Sequence, residues 1–265
     1  MRNLVFDIET VPDVALGKKL LPLDGLADED VAKAMTFKHL QDSGTEFLPL
    51  YQHRIVAISV VLRIADQLRV WSLGDCNSDE PELIKRFFDG LEQYTPDLVS
   101  WNGGGFDLPV LHYRALLHGV ASPRYWEHGD EDREFRYNNY LGRFHWRHID
   151  LMDVLSGFQP RARAGLDAIA VMLGFPGKMG LKGDQVWPYF LAGKLEEIRN
   201  YCETDVLNTY LIFLRFQHMR GILDDRSLEA EFDRLRAMLK EAEQGHLQAF
   251  LSAWGAGDEA SVSPR

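Results

Sequence analysis

Asp7 and Glu9 stand two positions apart at the end of an otherwise apolar run, Asn3-Leu-Val-Phe-Asp-Ile-Glu9. In a strand, alternate side chains share a face, so Leu4, Phe6 and Ile8 are expected on one side and Val5, Asp7 and Glu9 on the other. Two carboxylates at the end of a buried strand carry a high desolvation cost unless a cation offsets it. A divalent metal ion is the simplest such cation. A strand end open to solvent is the plain alternative.

Two further segments carry acids in positions of the same kind. Asn102-Gly103-Gly104-Gly105-Phe106-Asp107 ends a short apolar stretch and opens a helical one. Its glycines let backbone approach a ligand or adopt positive φ, while Asp107 either serves a site or merely caps the helix. Tyr201 and Asp205 are four residues apart in a long apolar helical pattern, so they project from one face. An acid on such a face is rarely left unpaired. The alternative is an arginine partner for Asp205, with Tyr201 a core aromatic.

Several elements must hold these residues in place. A buried strand is expected over 3–9, then an excursion over 13–50 with one short helix near 28–39. A hairpin is expected over 54–64 and 68–73, because two β-branched runs flank Ala65-Asp66-Gln67. An amphipathic helix over 80–93, a strand over 97–101 and a helix over 108–117 follow, the rhythm of an α/β protein. Residues 121–147 read as a long surface loop or flap whose five arginines and five acids cancel. Helices are expected over 151–155, 166–173, 186–191 and 194–220, with a glycine-rich, mobile stretch at 174–184. One last amphipathic helix over 227–253 precedes a tail from Gly255 expected to lack structure.

Taken together, Phe6-Asp7-Ile8-Glu9-Thr10, Asn102-Gly-Gly-Gly-Phe106-Asp107-Leu-Pro109 and Tyr201-Cys-Glu-Thr-Asp205 resemble the three exonuclease motifs of the DEDD superfamily. The resemblance is strongest to the proofreading domain of family B DNA polymerases and its stand-alone bacterial relatives, and runs from about residue 3 to 215. It implies a ribonuclease H-like fold, a central mixed sheet with helices on both faces. It further implies a 3'-5' exonuclease that hydrolyses terminal phosphodiester bonds of single-stranded DNA and releases nucleoside monophosphates. Asp7, Glu9, Asp107 and Asp205 would hold two Mg²⁺ or Mn²⁺ ions, with Asp7 bridging them, Glu9 and Asp205 on one ion and Asp107 supporting the other. Hard oxygen donors suit these metals, and two ions about 4 Å apart can serve an in-line displacement.

One branch of that superfamily has His five positions before the last Asp, the other Tyr four before it. Here 200 is Asn and 201 is Tyr, which marks the tyrosine branch. A phenol of pKa near 10 is a poor base at neutral pH, so Tyr201 is expected to orient the attacking water. Thr10 follows the carboxylate pair and is expected to touch the terminal nucleotide, and Asn102 and Phe106 resemble the family's substrate-facing positions, although Phe106 reads equally as core. Arg161, Arg163, Lys178 and Lys182 form a phosphate rail or a merely solvated face.

The formal net charge of −11 over 265 residues argues against a sequence-independent duplex binder, which needs a broad basic surface. It accords with a carboxylate cluster built for divalent ions. Cys76 and Cys202 match no zinc spacing and read as free thiols. No apolar stretch is long enough for a signal peptide or a membrane span, so a cytoplasmic protein is expected. We expect an exonuclease domain over 1–221 and an accessory helix and tail over 222–265. After Arg220 too few residues follow for a polymerase, so any proofreading is expected to need a replication or repair partner. The rival readings are an exoribonuclease, an endonuclease of the same fold, and a catalytically idle module that docks nucleic acid or a partner.

Overall fold

The computed structural model describes residues 1–261, with side chains described to residue 256. Strand β1 (Arg2–Pro12) is the long apolar run with its two acids. Two helices follow, α1 (Val14–Leu20) and α2 (Asp28–Ser43), where the sequence suggested one. Asp13 accounts for the extra helix, because its side chain accepts from the Leu16 amide and caps α1. The hairpin is β2 (His53–Ile64) and β3 (Gln67–Ser72), turning through Ala65 at positive φ.

Helix α3 (Glu80–Tyr94) begins where Asp79 caps the Glu82 amide at 3.0 Å, with Pro81 in the first turn. It leads into β4 (Asp97–Ser100) and α4 (Asp107–His118). Residues 121–147 are not a loose flap. They contain α5 (Pro123–Trp126) and bury Tyr125, Phe135 and Tyr140, with the Tyr140 hydroxyl on the Pro96 carbonyl at 2.6 Å. Three aromatics driven into a core outweigh the charged residues around them, which the cancelling charge count concealed.

Strand β5 (His148–Asp150) passes directly into α6 (Leu151–Leu155), followed by α7 (Leu166–Met172), α8 (Val186–Leu191) and α9 (Leu195–Met219). The C-terminal stretch is two helices, α10 (Asp225–Glu241) and α11 (Gly245–Ser261), where the amphipathic stripe suggested one. Gln248 turns back from α11 and donates to the carbonyls of Leu239 and Ala242 at 2.8 and 2.6 Å, satisfying the end of α10. Residues 255–261 continue α11 rather than forming a tail, and the remainder of that expected tail lies outside the described residues.

The five strands run β3-β2-β1-β4-β5. The β3–β2–β1 pairs are antiparallel, and β4 and β5 are parallel to β1. The two faces of β1 divide as alternation requires. Leu4, Phe6 and Ile8 pack with Phe87 of α3 and Leu111 of α4. Val5 faces the other way, toward Val206, Tyr210 and Leu211 of α9 and, beyond them, Phe232 and Trp254 of α10 and α11. The result is a mixed α/β sheet with helices on both faces, the ribonuclease H-like arrangement expected. Among the described residues, no helix is long and apolar enough to cross a membrane.

Candidate active site

Asp7 and Glu9 lie on the face of β1 that meets α9, next to a bulge where the β1–β2 register shifts between Glu9 and Thr10. Bulges of this kind re-aim side chains beside functional sites. Across from them, α9 runs its most buried turns against the sheet and carries Tyr201, Cys202 and Asp205 there, all buried. Helical spacing brings the phenol of Tyr201 onto Asp205 as a hydrogen-bond donor.

Asp107 arrives from the far side of β1, at the start of α4. It does not cap that helix, whose cap residue is Phe106. Its Oδ1 instead accepts the Ile8 amide at 3.1 Å, tying α4 to the strand between the two acids. The glycine turn before it works by close packing more than by its own positive φ. The left-handed residue is Asn102, at φ 66°. A Cβ at Gly103 would run into Ser100, and one at Gly105 would come within 2.5 Å of Asn102 Oδ1. Asp150, at the end of β5, accepts from the amides of Asn102 and Gly104 at 3.0 and 2.9 Å and so fixes the turn.

The charges of Asp107 and Asp205 act on both Asp7 and Glu9. Burial, then the charges of Asp107, Glu9 and Asp205, push Asp7 well above its ordinary pKa. Burial, then Asp205 and Asp107, do the same to Glu9. Burial raises Asp107 to about 7 and Asp205 to about 6, the latter against the pull of Tyr201 and Lys178. Tyr201 is itself raised by burial and by Asp205 and Glu9, so its phenol keeps its proton. Asp205 Oδ1 is buried and has no hydrogen-bond partner.

A carboxylate oxygen left bare among buried, mutually repelling acids is a poor structural solution and a good cation ligand. The donor set is hard oxygen, which fits Mg²⁺ or Mn²⁺. Cys202 adds a thiol at the edge, its sulfur and one oxygen each of Asp7 and Glu9 lying within 4.8 Å of one another. The sequence treated Cys202 only as a free thiol. Its place beside Tyr201 and one turn before Asp205 on α9 was the available signal.

Of the four basic residues considered as a rail, one reaches the acids. Lys178 lowers both Glu9 and Asp205, and its Nζ lies 5.6 Å from the Tyr201 ring centre. Its loop is held by the Lys178 amide on Asp167 Oδ1 at 2.7 Å and by Asn208 Nδ2 on the Gly177 carbonyl at 2.8 Å. Arg163 is paired instead with Asp153 at 2.6 Å, and Arg161 and Lys182 are exposed.

Thr10 and Phe106 meet through His53. The His53 Nε2 faces the Leu48 carbonyl at 3.1 Å, so that nitrogen carries the proton and Nδ1 accepts the Thr10 hydroxyl at 2.9 Å. Phe106 is half-buried rather than core. Its ring stands edge-on to His53 at 5.2 Å and beside the exposed Phe47 at 5.7 Å. Asn102 is spent on the glycine turn through its amide and its own backbone geometry.

Residues 45–254 match a family described as a predicted 3'-5' exonuclease related to the exonuclease domain of PolB. This span holds Asp107, Tyr201 and Asp205 and begins after Asp7 and Glu9. The chain is 27% identical over 236 residues to a DNA polymerase of Pyrococcus glycovorans, covering 82% of this chain and 29% of the polymerase. It is 26% identical over 145 residues to the catalytic polypeptide of DNA polymerase epsilon from Schizosaccharomyces pombe, covering 53% of this chain and 6% of that polypeptide. The chain thus corresponds to a minor part of each polymerase's length.

Proposed function

This chain belongs to the family of predicted 3'-5' exonucleases related to the exonuclease domain of PolB, and on that premise we propose that it removes nucleotides from the 3' end of single-stranded DNA by a two-metal-ion mechanism. Asp7, Glu9, Asp107 and Asp205 are the residues that would hold the ions. When bound, Mg²⁺ or Mn²⁺ supplies Lewis acidity that favours ionisation of the attacking water and offsets charge on the departing 3' oxygen.

The chain's own residues do the rest. Burial and the neighbouring acids favour the protonated Tyr201 phenol, which suits it to donate a hydrogen bond that orients the water and Asp205 rather than to act as the base. Lys178 is a positive charge felt by Glu9 and Asp205 and is suited to a non-bridging phosphate oxygen. Phe106, with Phe47 and His53 beside it, offers an apolar wall for the terminal base, Thr10 adjoins it through His53, and Asn102 contributes by shaping the glycine turn. Tyrosine four residues before the last acid makes this the tyrosine subclass.

The observation that carries this reading is the bare, buried Asp205 Oδ1 among three other raised carboxyls. The test is digestion of 5'-labelled single-stranded DNA, duplex DNA and RNA in Mg²⁺, Mn²⁺ or EDTA, with Asp7→Ala as control. Stepwise shortening of the DNA strand, with mononucleotide release that EDTA and Asp7→Ala abolish, is the expected result. Preferential shortening of RNA would instead favour the exoribonuclease reading, and cutting of circular single strands an endonuclease. No cleavage of any substrate would leave a binding module.

A further inference from the structure

The chemistry proposed above uses only hard oxygen donors, yet a sulfur stands among them. Among the described residues, one group of His, Cys, Asp or Glu side chains is close enough to hold a single ion. It is Asp7, Glu9 and Cys202, whose donor atoms all lie within 4.8 Å of one another. The Cys202 thiol donates toward the Asp7 carbonyl oxygen at 3.4 Å and toward Asp7 Oδ2 at 3.5 Å. Glu9 and Cys202 are buried and Asp7 is half-buried. Asp205 lies three residues further along α9, on the same helix face as Cys202, and its buried Oδ1 has no hydrogen-bond partner.

The spacing of sulfur and oxygen separates two kinds of ion. Zinc–sulfur and zinc–oxygen bonds of about 2.3 and 2.0 Å, at a tetrahedral angle, set the two donors about 3.5 Å apart. Cys202 Sγ and Asp7 Oδ2 already stand at that separation, so one ion can span both as they lie. Glu9 supplies a third donor, the number of protein ligands a zinc ion takes when its fourth place stays open. A hard ion such as Mg²⁺ gains little from sulfur and takes the oxygens alone, whereas a thiophilic ion gains a strong bond. Burial and the neighbouring acids keep the proton on sulfur in the metal-free chain, and the charge of a ligated ion reverses that bias. On ligation the S–H bond breaks, the sulfur–metal bond forms and one proton leaves to solvent.

We infer that Cys202 is a metal ligand in its own right, and that with Asp7 and Glu9 it forms a binding site for a thiophilic divalent cation such as Zn²⁺. The inference rests on the reading of Asp7 and Glu9 as metal ligands, and what it adds is the sulfur. Zinc and magnesium then compete for the same carboxylates, and the thiol tilts that competition toward zinc. The plain alternative is a buried thiol that fills space and makes weak hydrogen bonds. Such a thiol would leave the choice of metal untouched.

The experiment uses the full-length chain with Cys76, the exposed second thiol, changed by Cys76→Ser so that one thiol remains. Sulfur ligation is read from the near-ultraviolet charge-transfer band of the Co²⁺ form. Zn²⁺ affinity is read by competition with a coloured chelator, and Mg²⁺ affinity from the thermal midpoint across a titration. The Co²⁺ form is expected to show a thiolate band that added Zn²⁺ abolishes. Cys202→Ser should lack the band and bind Zn²⁺ roughly a hundredfold more weakly, the upper end of the loss seen when even an outer partner of a metal ligand is removed. Its preference for Zn²⁺ over Mg²⁺ should fall with it, and Cys202→Ala should behave alike. A Co²⁺ form without the band, or an unchanged preference in both variants, overturns the inference. The band is measured with Cys202 in place, so it decides the matter even where neither variant folds. A chain that responds to neither Mg²⁺ nor Zn²⁺, or an Asp7→Asn variant that keeps both affinities, overturns instead the reading of Asp7 and Glu9 on which the inference rests.

Discussion

Two clusters of buried acids flank the far end of β1, and the chain treats them in opposite ways. In one, Glu80 accepts Arg114 Nε at 2.7 Å, the Ile55 amide at 2.7 Å and His118 Nε2 at 2.8 Å, while Asp13 takes another arm of the same guanidinium. Every charge there meets an opposite charge from a neighbouring element. In the other, Asp7, Glu9, Asp107 and Asp205 converge on each other, with Lys178 as the counter-charge to Glu9 and Asp205 and one oxygen bare. The first cluster is complete as folded. The second is left with repelling charges and a bare oxygen, the imbalance that the proposed metal ligation would resolve.

Removing one acid from each cluster tests that difference most directly. Asp205→Asn is expected to cost about a thousandfold or more in exonuclease rate, on the order of 4 kcal/mol of transition-state stabilisation. The melting midpoint of the metal-free protein should hold or rise, because a repelling charge has gone. Glu80→Gln should do the reverse, leaving the rate near normal and costing about 3 kcal/mol of stability, because Arg114 loses a buried partner. Paired denaturation and rate measurements decide it, and equal losses of stability in the two variants would erase the distinction.

A smaller effect is expected from a neutral group within the site. Tyr201→Phe removes a donor but no charge, so the rate should fall by roughly a hundredfold while magnesium affinity is retained. Calorimetry beside single-turnover rates separates the two. Full activity in the phenylalanine variant would remove Tyr201 from the proposed mechanism.

The smallest effect is a dependence on pH. All four carboxyls are raised in the folded protein, Asp107 to about 7 and Asp205 to about 6, mainly by burial. Carboxyls titrate near 4 in the unfolded chain, so between pH ~4 and ~7 the folded state binds more protons than the unfolded. Stability contributed by these groups is greatest in acid and is lost as pH rises through their folded values. In EDTA the thermal midpoint should therefore fall from pH 5 to pH 8. Mg²⁺ should raise it more at pH 8 than at pH 5. A midpoint that is flat with pH and indifferent to magnesium would place the acids outside a common site.

Much of the fold was legible because period and composition speak for themselves. The alternation in β1, the hairpin at Ala65 and the apolar stripe of α3 were readable from hydrophobic spacing alone. The misreadings arose where a single polar side chain decides a boundary. Asp13 starts α1 and Gln248 ends α10, and neither contact shows in a periodic pattern. The buried aromatics of residues 121–147 were hidden by charged neighbours. In the site, residue types and spacing named the acids and Tyr201. They did not select Lys178 from four basic residues, nor reveal that the Cys202 thiol lies against Asp7.

By itself the sequence determined the strand that carries two acids on one face and the helix that pairs Tyr201 with Asp205, because those relations are set by the local period of the backbone. Only the tertiary structure decided that α4 and α9 meet β1 from opposite faces, and that Lys178 answers the acids while Arg163 does not. Those relations link residues tens to hundreds of positions apart. What fixes them is packing and the pairing of buried polar groups, which no local period encodes.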